Sequence, residues 1–387
     1  MRDAVIVDAI RTPGGKRNGQ LKDWHPVDLA AHVLKTLQDR NGIDPAIVDD
    51  VVMGCVMQVG QQAFNIGRNA VLAAGWPESV PATTVDRQCG SSQQALHFVA
   101  QGVIAGAYDV AVAAGVEVMT RTPMGSSAVK ELGFPFPKSM FDRYADTGLP
   151  PQGIGAEMIA DEYGLTREDL DGFAAESQRR AAQAANEGRF DNEIVPVPVE
   201  VDGETVMMTR DEGIREGTTP EVLAKLKPAF KEDGKVTAGN SSQITDGASA
   251  VLVMSAEKAD ELGLRPRARF HSFAVAGTDP VTMLKGPIPA TTKIMARSGL
   301  SIEDIDLFEV NEAFASVVLA WQKEHGTDLA KTNVNGGAIA LGHPLGSSGT
   351  KLMATLLNEL ERTGGRYGLQ TMCEGGGLAN ATIIERI

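Results

Sequence analysis

Residues 94–119 read QALHFVAQGVIAGAYDVAVAAGVEVM, and this stretch decides the predicted fold. Its first half is apolar or small almost all round, as in a helix buried between two layers, and an apolar run of strand length follows. Residues 351–377, KLMATLLNELERTGGRYGLQTMCEGGG, repeat that order of helix and strand. The weak repetition predicts duplicated α/β units packed together, because a solenoid would repeat with a far shorter period.

The same alternation of short apolar runs and helical patterns extends outward from this stretch. A helix is predicted from Pro26, which suits a first helical turn, to a stop at Asn41 and Gly42. From about residue 267 the alternation resumes and continues through the rest of the sequence. Strands are predicted in the first part at Ala4–Ala9, Val51–Val56, Thr83–Asp86 and Val110–Val118.

Residues 119–245 have a different character. They begin with a Pro- and Gly-rich segment typical of loops, and a helix follows that starts at an N-cap box of Thr166 and Asp169 and runs to about Asn186. We expect an insertion that lies over the first unit. The predicted division is an N-terminal half of residues 1–118 plus about 246–266, the insertion 119–245, and a C-terminal half 267–387.

Composition and charge narrow the class of protein. The chain of 387 residues is 43% hydrophobic but only 5% aromatic, with 42 glycines, which is typical of close-packed α/β layers. A net charge of −14 repels polyanions and disfavours nucleic-acid binding. No apolar run approaches the roughly 20 residues that span a bilayer, and neither a signal peptide nor a targeting signal is recognisable at the ends. We expect a cytoplasmic protein without membrane insertion.

The three cysteines, Cys55, Cys89 and Cys373, are widely spaced and form no C-x-x-C, so neither a disulfide framework nor a metal site is predicted. Cys89 lies in TTVDRQCGSSQQAL, between a predicted strand and the start of the buried helix, where a helix N-terminus favours the thiolate. The alternative is a small buried core residue, which this segment alone favours. Cys55 has only the core interpretation.

Three further segments contain candidate site residues. His343 lies in the Gly-rich NVNGGAIALGHPLGSSG, where a histidine held close to a ligand can act as base or donor. Asn311 follows the strand DIDLFEV at a junction where α/β proteins bind ligands, although capping of the next helix is favoured from this segment alone. Cys373 precedes three glycines whose amides suit an oxyanion hole, the alternative being a core cysteine before a turn.

Together these segments resemble the thiolase family over the whole chain. They stand in the order and at the intervals typical of that family. The matching motifs are VDAIRTPGGKRNG (7–19), CGSS (89–92), GNSSQITDGASA (239–250), NEAFA (311–315), NGGAIALGHPLGSSG (335–349) and MCEGGG (372–377).

The resemblance implies a role for each candidate residue. Cys89 is the nucleophile that a coenzyme A (CoA) thioester acylates, and His343 activates it. Cys373 exchanges a proton with the second substrate. Asn311 holds a water that, with His343, stabilises a thioester oxyanion, and the backbone amides of Cys89 and Gly375 form a second oxyanion hole. Two thiols are needed because the acylated cysteine is not available as a base.

The resemblance also implies how the ligand and the subunits are arranged. CoA and acyl-CoA are substrates, no cofactor is tightly bound, and Arg215 in DEGIREG lies near the nucleotide while Ser242 lies near the pantetheine. The implied architecture is the α/β thiolase fold, with two similar five-layered α-β-α-β-α halves and an inserted loop domain that binds CoA. The resemblance further implies a homo-oligomer, dimer or tetramer, with residues 120–145 as contact region in tetrameric relatives.

The resemblance implies ping-pong cleavage of 3-ketoacyl-CoA with CoA to acetyl-CoA and a shortened acyl-CoA, as in fatty acid β-oxidation, or the reverse condensation. Glu374 stands where many relatives have a small residue, and DRQCGSSQQA with the C-terminal motif resembles a branch that includes steroid-degrading members. Alternatives are a short-chain biosynthetic acetoacetyl-CoA thiolase, a decarboxylating condensing enzyme, which Cys373 argues against, and a non-catalytic acyl-CoA or lipid-binding protein.

Overall fold

A computed structural model describes residues 2–387 of the chain. Its strands are β1 Ala4–Arg11, β2 Gly15–Lys16, β3 Asp50–Gly54, β4 Ala82–Val85, β5 Val110–Val118, β6 Val197–Val201, β7 Glu204–Met208, β8 Thr245–Ser255, β9 Ala268–Gly277, β10 Leu307–Val310, β11 Tyr367–Glu374 and β12 Leu378–Arg386. Its helices are α1 Pro26–Asn41, α2 Ile66–Ala73, α3 Ser91–Ala105, α4 Lys138–Arg143, α5 Gln152–Glu162, α6 Arg167–Asn186, α7 Pro220–Leu223, α8 Ala256–Glu261, α9 Pro287–Ser298, α10 Ala315–His325, α11 Ala338–Leu341 and α12 Ser348–Thr363.

Ten of the strands form one mixed sheet in the order β10-β11-β12-β9-β1-β8-β5-β3-β4, with β2 beside β8, and β6 and β7 form a separate hairpin. The sheet is weakest in its middle, because β1 and β9 are joined only through the pairs Val5–Arg269 and Ile6–Ala268. Strands from residues 4–118 and 245–255 lie on one side of this joint, and strands from residues 268–386 lie on the other. The repetition seen in the sequence therefore corresponds to two half-sheets.

Helices α3 and α12 fill the space between the two half-sheets. Leu96 and Val99 of α3 share a buried core with Leu356 of α12, with Val251 of β8 and with Ile384 of β12. Helices α1 and α2 cover the outer face of the first half-sheet, and α9 and α10 cover that of the second. The predicted thiolase-type α/β architecture is confirmed, with one refinement: the five α-β-α-β-α layers belong to the two halves together, since the middle helical layer is shared.

A glycine allows the two central helices to meet at their N-termini. Gly349 in the first turn of α12 lies so close to Gln93 that a Cβ on the glycine would overlap the backbone nitrogen of Gln93. This close approach requires glycine. It brings the Gly-rich segment before α12 against the start of α3, where Cys89 lies.

The insertion does not lie over the first unit alone, so that prediction is wrong. The apolar faces of α5 and α6 pack on the second half, where Ile159 and Leu170 share a core with Phe314 and Val317. The β6–β7 hairpin packs on the first half, through residues such as Val197, as does the segment with Arg121 and Ser127. The capping box of Thr166 and Asp169 at the start of α6 is confirmed, as is the end of this helix at Asn186.

Candidate active site

Cys89 lies at a sharp turn between β4 and α3. Gln88 just before it has a φ of 48°, a left-handed conformation that costs a non-glycine residue about 1–2 kcal/mol. The turn is held by the Ser91 amide, which donates to the Gln88 carbonyl at 3.0 Å, and by the Arg87 amide, which donates to Ser91 Oγ at 2.9 Å. The strained turn places the thiol of Cys89 at the floor of a cavity.

This cavity has a volume of about 490 Å³ and passes between the two halves and the insertion. His343 and Leu345 line it beside Cys89, and its exposed cations are Lys16, Arg17 and Arg215. An apolar floor with cations at exposed positions suits a ligand that is apolar at one end and anionic at the other. The remaining lining residues are Met119, Met124, Gln152, Ala229, Phe230, Ala238, Ser241, Ser242, Gln243, Ile244, Ala313 and Phe314.

The hydrogen bonds of His343 assign its tautomer. Ser348 Oγ donates to the Pro344 carbonyl at 2.9 Å, and the same oxygen lies 2.5 Å from His343 Nδ1. Because the serine proton is already donated, Nδ1 must carry a proton and donate it to Ser348. His343 Nε2 is then an acceptor, and Asn311 Nδ2 lies 3.4 Å from it. The imidazole therefore presents a free lone pair toward the buried site, as a general base requires.

Replacing Ser348 with alanine is expected to lower kcat/KM for thiolysis about 10- to 100-fold, because Nδ1–H loses its acceptor and the imidazole is free to turn or change tautomer. The matched control is Ser347→Ala, since the Ser347 hydroxyl contacts Ser249 and not His343. Steady-state kinetics and thermal melting of both variants check the prediction. Equal losses in the two variants would mean that the effect is one of packing.

Asn311 does not cap the following helix, so the capping interpretation is wrong. The N-cap of helix α10 is Phe314, three residues after Asn311, and the helix begins at Ala315. The backbone N–H of Asn311 donates to the Thr371 carbonyl at 3.0 Å. This bond fixes the backbone at Asn311 and places its side chain beside His343. The neighbouring Glu312 is structural: it accepts from Ser177 Oγ at 2.6 Å and from the Ile339 amide at 3.1 Å.

Cys373 lies near the end of β11 and is buried. Burial raises the pKa of its thiol, and the negative charges that Cys89 and Glu374 can carry raise it further. The segments that carry the two thiols are in contact, because Glu374 Oε1 lies against Gly90 and the Gln88 side chain lies against Gly375. The backbone amides of Cys89 and Gly375 act in the opposite direction and lower the pKa of the Cys89 thiol, as donors directed at its sulfur do. The chain thus brings two thiols, a neutral imidazole and two amide donors to one place.

The position of Cys89 before α3 does not by itself produce a thiolate. Burial, followed by the nearby carboxyl of Glu374, raises the pKa of Cys89 to about 12, which outweighs the two amides. Burial, followed by the charge of Lys351, lowers the pKa of His343 to about 3. A thiolate–imidazolium pair is therefore unfavourable before substrate binds. The proton of Cys89 must pass to His343 as the sulfur attacks, so that charge moves directly onto the substrate.

Two buried charged residues that the sequence analysis did not single out hold the loop of His343. Glu117 accepts from the amides of Val56 and Gly346, both at 2.9 Å, and so ties this loop to the first half. Lys351 Nζ donates to the carbonyls of Leu341 and Gly342 at 3.2 and 3.1 Å. A charged residue inside the apolar strand Val110–Val118 was the available sequence signal for Glu117. No feature of the sequence indicated the contact between Ser348 and His343.

The two predicted CoA-binding residues line the cavity at different depths. The Arg215 side chain is exposed, and its backbone amide is held by Gln178 Oε1 at 2.7 Å. The Ser242 amide donates to the Ala313 carbonyl at 2.9 Å, which ties the insertion to the second half.

Cys55 is buried beside Glu117, outside the cavity lining. In residues 2–387 no group of histidine, cysteine and acidic side chains is arranged to hold a metal ion, and no helix has the length and apolar character to cross a bilayer.

Two family models together match nearly all of the chain: the thiolase N-terminal domain over residues 4–257 and the thiolase C-terminal domain over residues 264–386. The chain is 52% identical to the steroid 3-ketoacyl-CoA thiolase FadA6 of Mycobacterium tuberculosis, over 100% of this chain and 95% of that protein. It is 47% identical to the 3-ketoacyl-CoA thiolase of Aliivibrio fischeri over 100% of both chains. The crystal structure of the Bacillus anthracis acetyl-CoA acetyltransferase superposes with a TM-score of 0.91 at 39% identity, covering 100% of this chain and 99% of that one.

Proposed function

The chain belongs to the thiolase family and is an acyltransferase, and from that premise we propose that it cleaves 3-ketoacyl-CoA esters with CoA through an acyl-Cys89 intermediate. The observation that carries the proposal is the convergence of Cys89 and His343 at the floor of one cavity with cations at its exposed positions, together with the buried Cys373 on the strand end that packs against the turn of Cys89. A protein that only bound acyl-CoA would need the cavity but not the second thiol.

In the first half-reaction Cys89 Sγ attacks the 3-keto carbon while its proton passes to His343 Nε2. The oxyanion that forms accepts from the amides of Cys89 and Gly375. The bond between the 2- and 3-carbons then breaks, and the electron pair leaves as the enolate of acetyl-CoA, whose thioester oxygen is stabilised by His343 and a water held by Asn311. Cys373 protonates the enolate carbon, and acetyl-CoA departs.

In the second half-reaction the CoA thiol enters the vacated space. His343 returns its proton to Cys373, the neutral imidazole then removes the proton of the CoA thiol, and the CoA sulfur attacks the acyl-Cys89 carbonyl over the same amide pair. Collapse of this intermediate releases the shortened acyl-CoA, and Cys89 regains a proton from His343. Every proton is returned, so the enzyme ends in its starting state. The reverse sequence is the Claisen condensation.

An acyl group longer than acetoacetyl is favoured by the lining of the cavity. Met119, Met124 and Phe230 present apolar surface beside Cys89. Phe230 lies back against α5 because residue 153 is glycine: a Cβ on Gly153 would overlap its ring. The 52% identity to a protein named steroid 3-ketoacyl-CoA thiolase supports a bulky acyl group as well. The second candidate, a short-chain acetoacetyl-CoA thiolase, is supported by the fold match to an acetyl-CoA acetyltransferase.

Thiolysis rates across short, long and ring-bearing 3-ketoacyl-CoA esters test the proposed function. We expect turnover to extend well beyond acetoacetyl-CoA. Negligible rates on every ester longer than four carbons would overturn the degradative assignment and leave the short-chain candidate. Negligible rates on all esters, in both directions, would overturn the proposed activity itself.

Replacing Arg215 with alanine is expected to raise KM for CoA about 5- to 30-fold with kcat nearly unchanged. The exposed guanidinium lines the cavity. Loss of one charge-assisted contact to a phosphate weakens binding of the ground state and of the transition state equally, which raises KM and leaves kcat unchanged. The matched control is Arg210→Ala, because Arg210 bonds to Asn186 and Glu216 and does not line the cavity. A fall in kcat with unchanged KM would show that Arg215 does not bind the nucleotide.

The assembly and the location of the protein are part of the proposal. A homo-oligomer, dimer or tetramer, is supported by an exposed aromatic cluster within residues 120–145, in which Phe134, Phe136 and Phe141 pack against one another and are 67%, 44% and 46% exposed. Such a patch is unusual on a surface that faces only water. A reducing compartment such as the cytoplasm suits three free cysteines.

A further inference from the structure

We propose that Glu374 is a positioning residue whose charge controls the ionisation of both reactive thiols, so that the enzyme carries a buried acid that restrains Cys89 and Cys373. The inference rests on the proposed function, since it takes these two cysteines as the reactive thiols. None of the catalytic steps above uses Glu374.

The position of the carboxyl group is the first observation. Glu374 is the last residue of β11, directly after Cys373, and its side chain is fully buried. The carboxyl group lies against Gly90, the residue after Cys89, so closely that a Cβ on this glycine would overlap Glu374 Oε1. The carboxyl therefore lies between the backbone segments that carry the two thiols, and only a glycine at position 90 leaves room for it.

The second observation is that this carboxyl has no protein partner. Neither Glu374 oxygen accepts or donates a hydrogen bond within residues 2–387. Asn380 of β12 lies beside it but donates to the Gly90 carbonyl at 3.0 Å. A buried acid without partners is expensive to keep charged, and natural proteins seldom retain one without a reason.

The charged groups around Glu374 come from the turn before α3 and from the two cysteines. Burial raises the pKa of Glu374 to about 8, Arg87 acts to lower it and Asp86 acts to raise it. In turn, the carboxylate raises the pKa of Cys89 and of Cys373. Below pH about 8 the acid is neutral and leaves the thiols unaffected. Above that pH the carboxylate opposes formation of either thiolate, because like charges in a buried site repel.

The test is the pH dependence of alkylation of Cys89 by iodoacetamide, followed by mass spectrometry on the full-length enzyme and on Glu374→Gln. The two rate profiles are expected to coincide below about pH 7, where Glu374 is neutral. Above about pH 8.5 the variant should react faster. Loss of a like charge lowers the thiol pKa and raises the thiolate fraction, and because the lower basicity of the thiolate offsets part of this gain, we expect a rate increase of about threefold.

The conservative variant Glu374→Asp keeps the charge and should keep the wild-type alkaline profile. The matched control is Glu309→Gln: Glu309 is also fully buried with an unpartnered oxygen, but its charged neighbours are Glu312, Glu193, Lys351 and Glu359, not the thiols. If Glu374→Gln does not fold, Glu374→Ala removes the same charge.

Coincident profiles for wild type and the neutral variant at every pH, or equal acceleration in Glu309→Gln, would overturn the role of Glu374. This failure is distinct from failure of the proposed function, in which the wild-type enzyme itself would form no acyl-Cys89 with an acyl-CoA. A change of melting temperature alone does not support the inference, since a merely structural carboxyl would produce it without moving the alkylation profile.

Discussion

Replacing Cys89 with alanine is expected to lower the thiolysis rate by about 10⁴-fold or more and to abolish the acyl-enzyme. The reason is that both half-reactions pass through the same sulfur, so that no alternative route of comparable barrier remains. His343 and the amide of Gly375 would still surround bound substrate but would have no nucleophile to assist. KM for the 3-ketoacyl-CoA should change little, because the cavity lining is intact.

Cys55→Ala is the matched control for this variant. Cys55 is also buried in the first half, but it does not line the cavity. Its replacement should leave the rate near that of the wild type, with a modest loss of stability from the missing sulfur. A Cys89→Ala enzyme that retained more than about a hundredth of the wild-type rate would refute the assignment of the nucleophile.

Replacing Cys373 with alanine is expected to lower turnover by about 10³-fold or more while leaving acylation of Cys89 intact. Exchange of an acetyl group from acetyl-CoA to Cys89 needs one proton, which the leaving CoA thiolate can take from His343. Cleavage of the carbon–carbon bond needs a second acid, and its reverse needs a second base. The variant should therefore accumulate acetyl-enzyme that it cannot use for condensation.

Rapid quenching and peptide mapping check this prediction by locating the acetyl group on Cys89 in the Cys373→Ala enzyme. The control is the wild-type enzyme, which should carry the same acetyl group and also transfer it to a second acetyl-CoA. If the variant cannot be acetylated, Cys373 takes part in acyl transfer from acetyl-CoA as well, and the division of labour between the two thiols is incorrect.

Much of the fold was predictable because it depends on local patterns. The apolar or small character of residues 91–107 predicted a helix between layers, and α3 is that helix. Strand β5 has the predicted bounds Val110–Val118. The location of α5 and α6 was not predictable, because a helix's apolar face indicates that it is covered but not by which unit.

The candidate site was also predictable only in part. The residue types around Cys89, His343 and Cys373 suggested chemistry, but the segment with Asn311 favoured a helix cap until the structure placed the start of α10 at Ala315. The balance of effects on the ionisation of Cys89 was not predictable either. A helix N-terminus acts locally and can be recognised in the sequence, whereas burial and the carboxyl of Glu374 depend on β11 lying beside α3. Ser348 was missed because its role exists only through its contact with the imidazole.

Cys89 carries the acyl group, and its acylation by acetyl-CoA does not require Cys373. Intact-mass measurement of the wild-type, Cys89→Ala and Cys373→Ala enzymes after addition of acetyl-CoA tests both statements. We expect the wild type and Cys373→Ala each to gain one acetyl group and Cys89→Ala to gain none. Equal acetylation of Cys89→Ala, or no acetylation of the wild type, would contradict the assignment of Cys89.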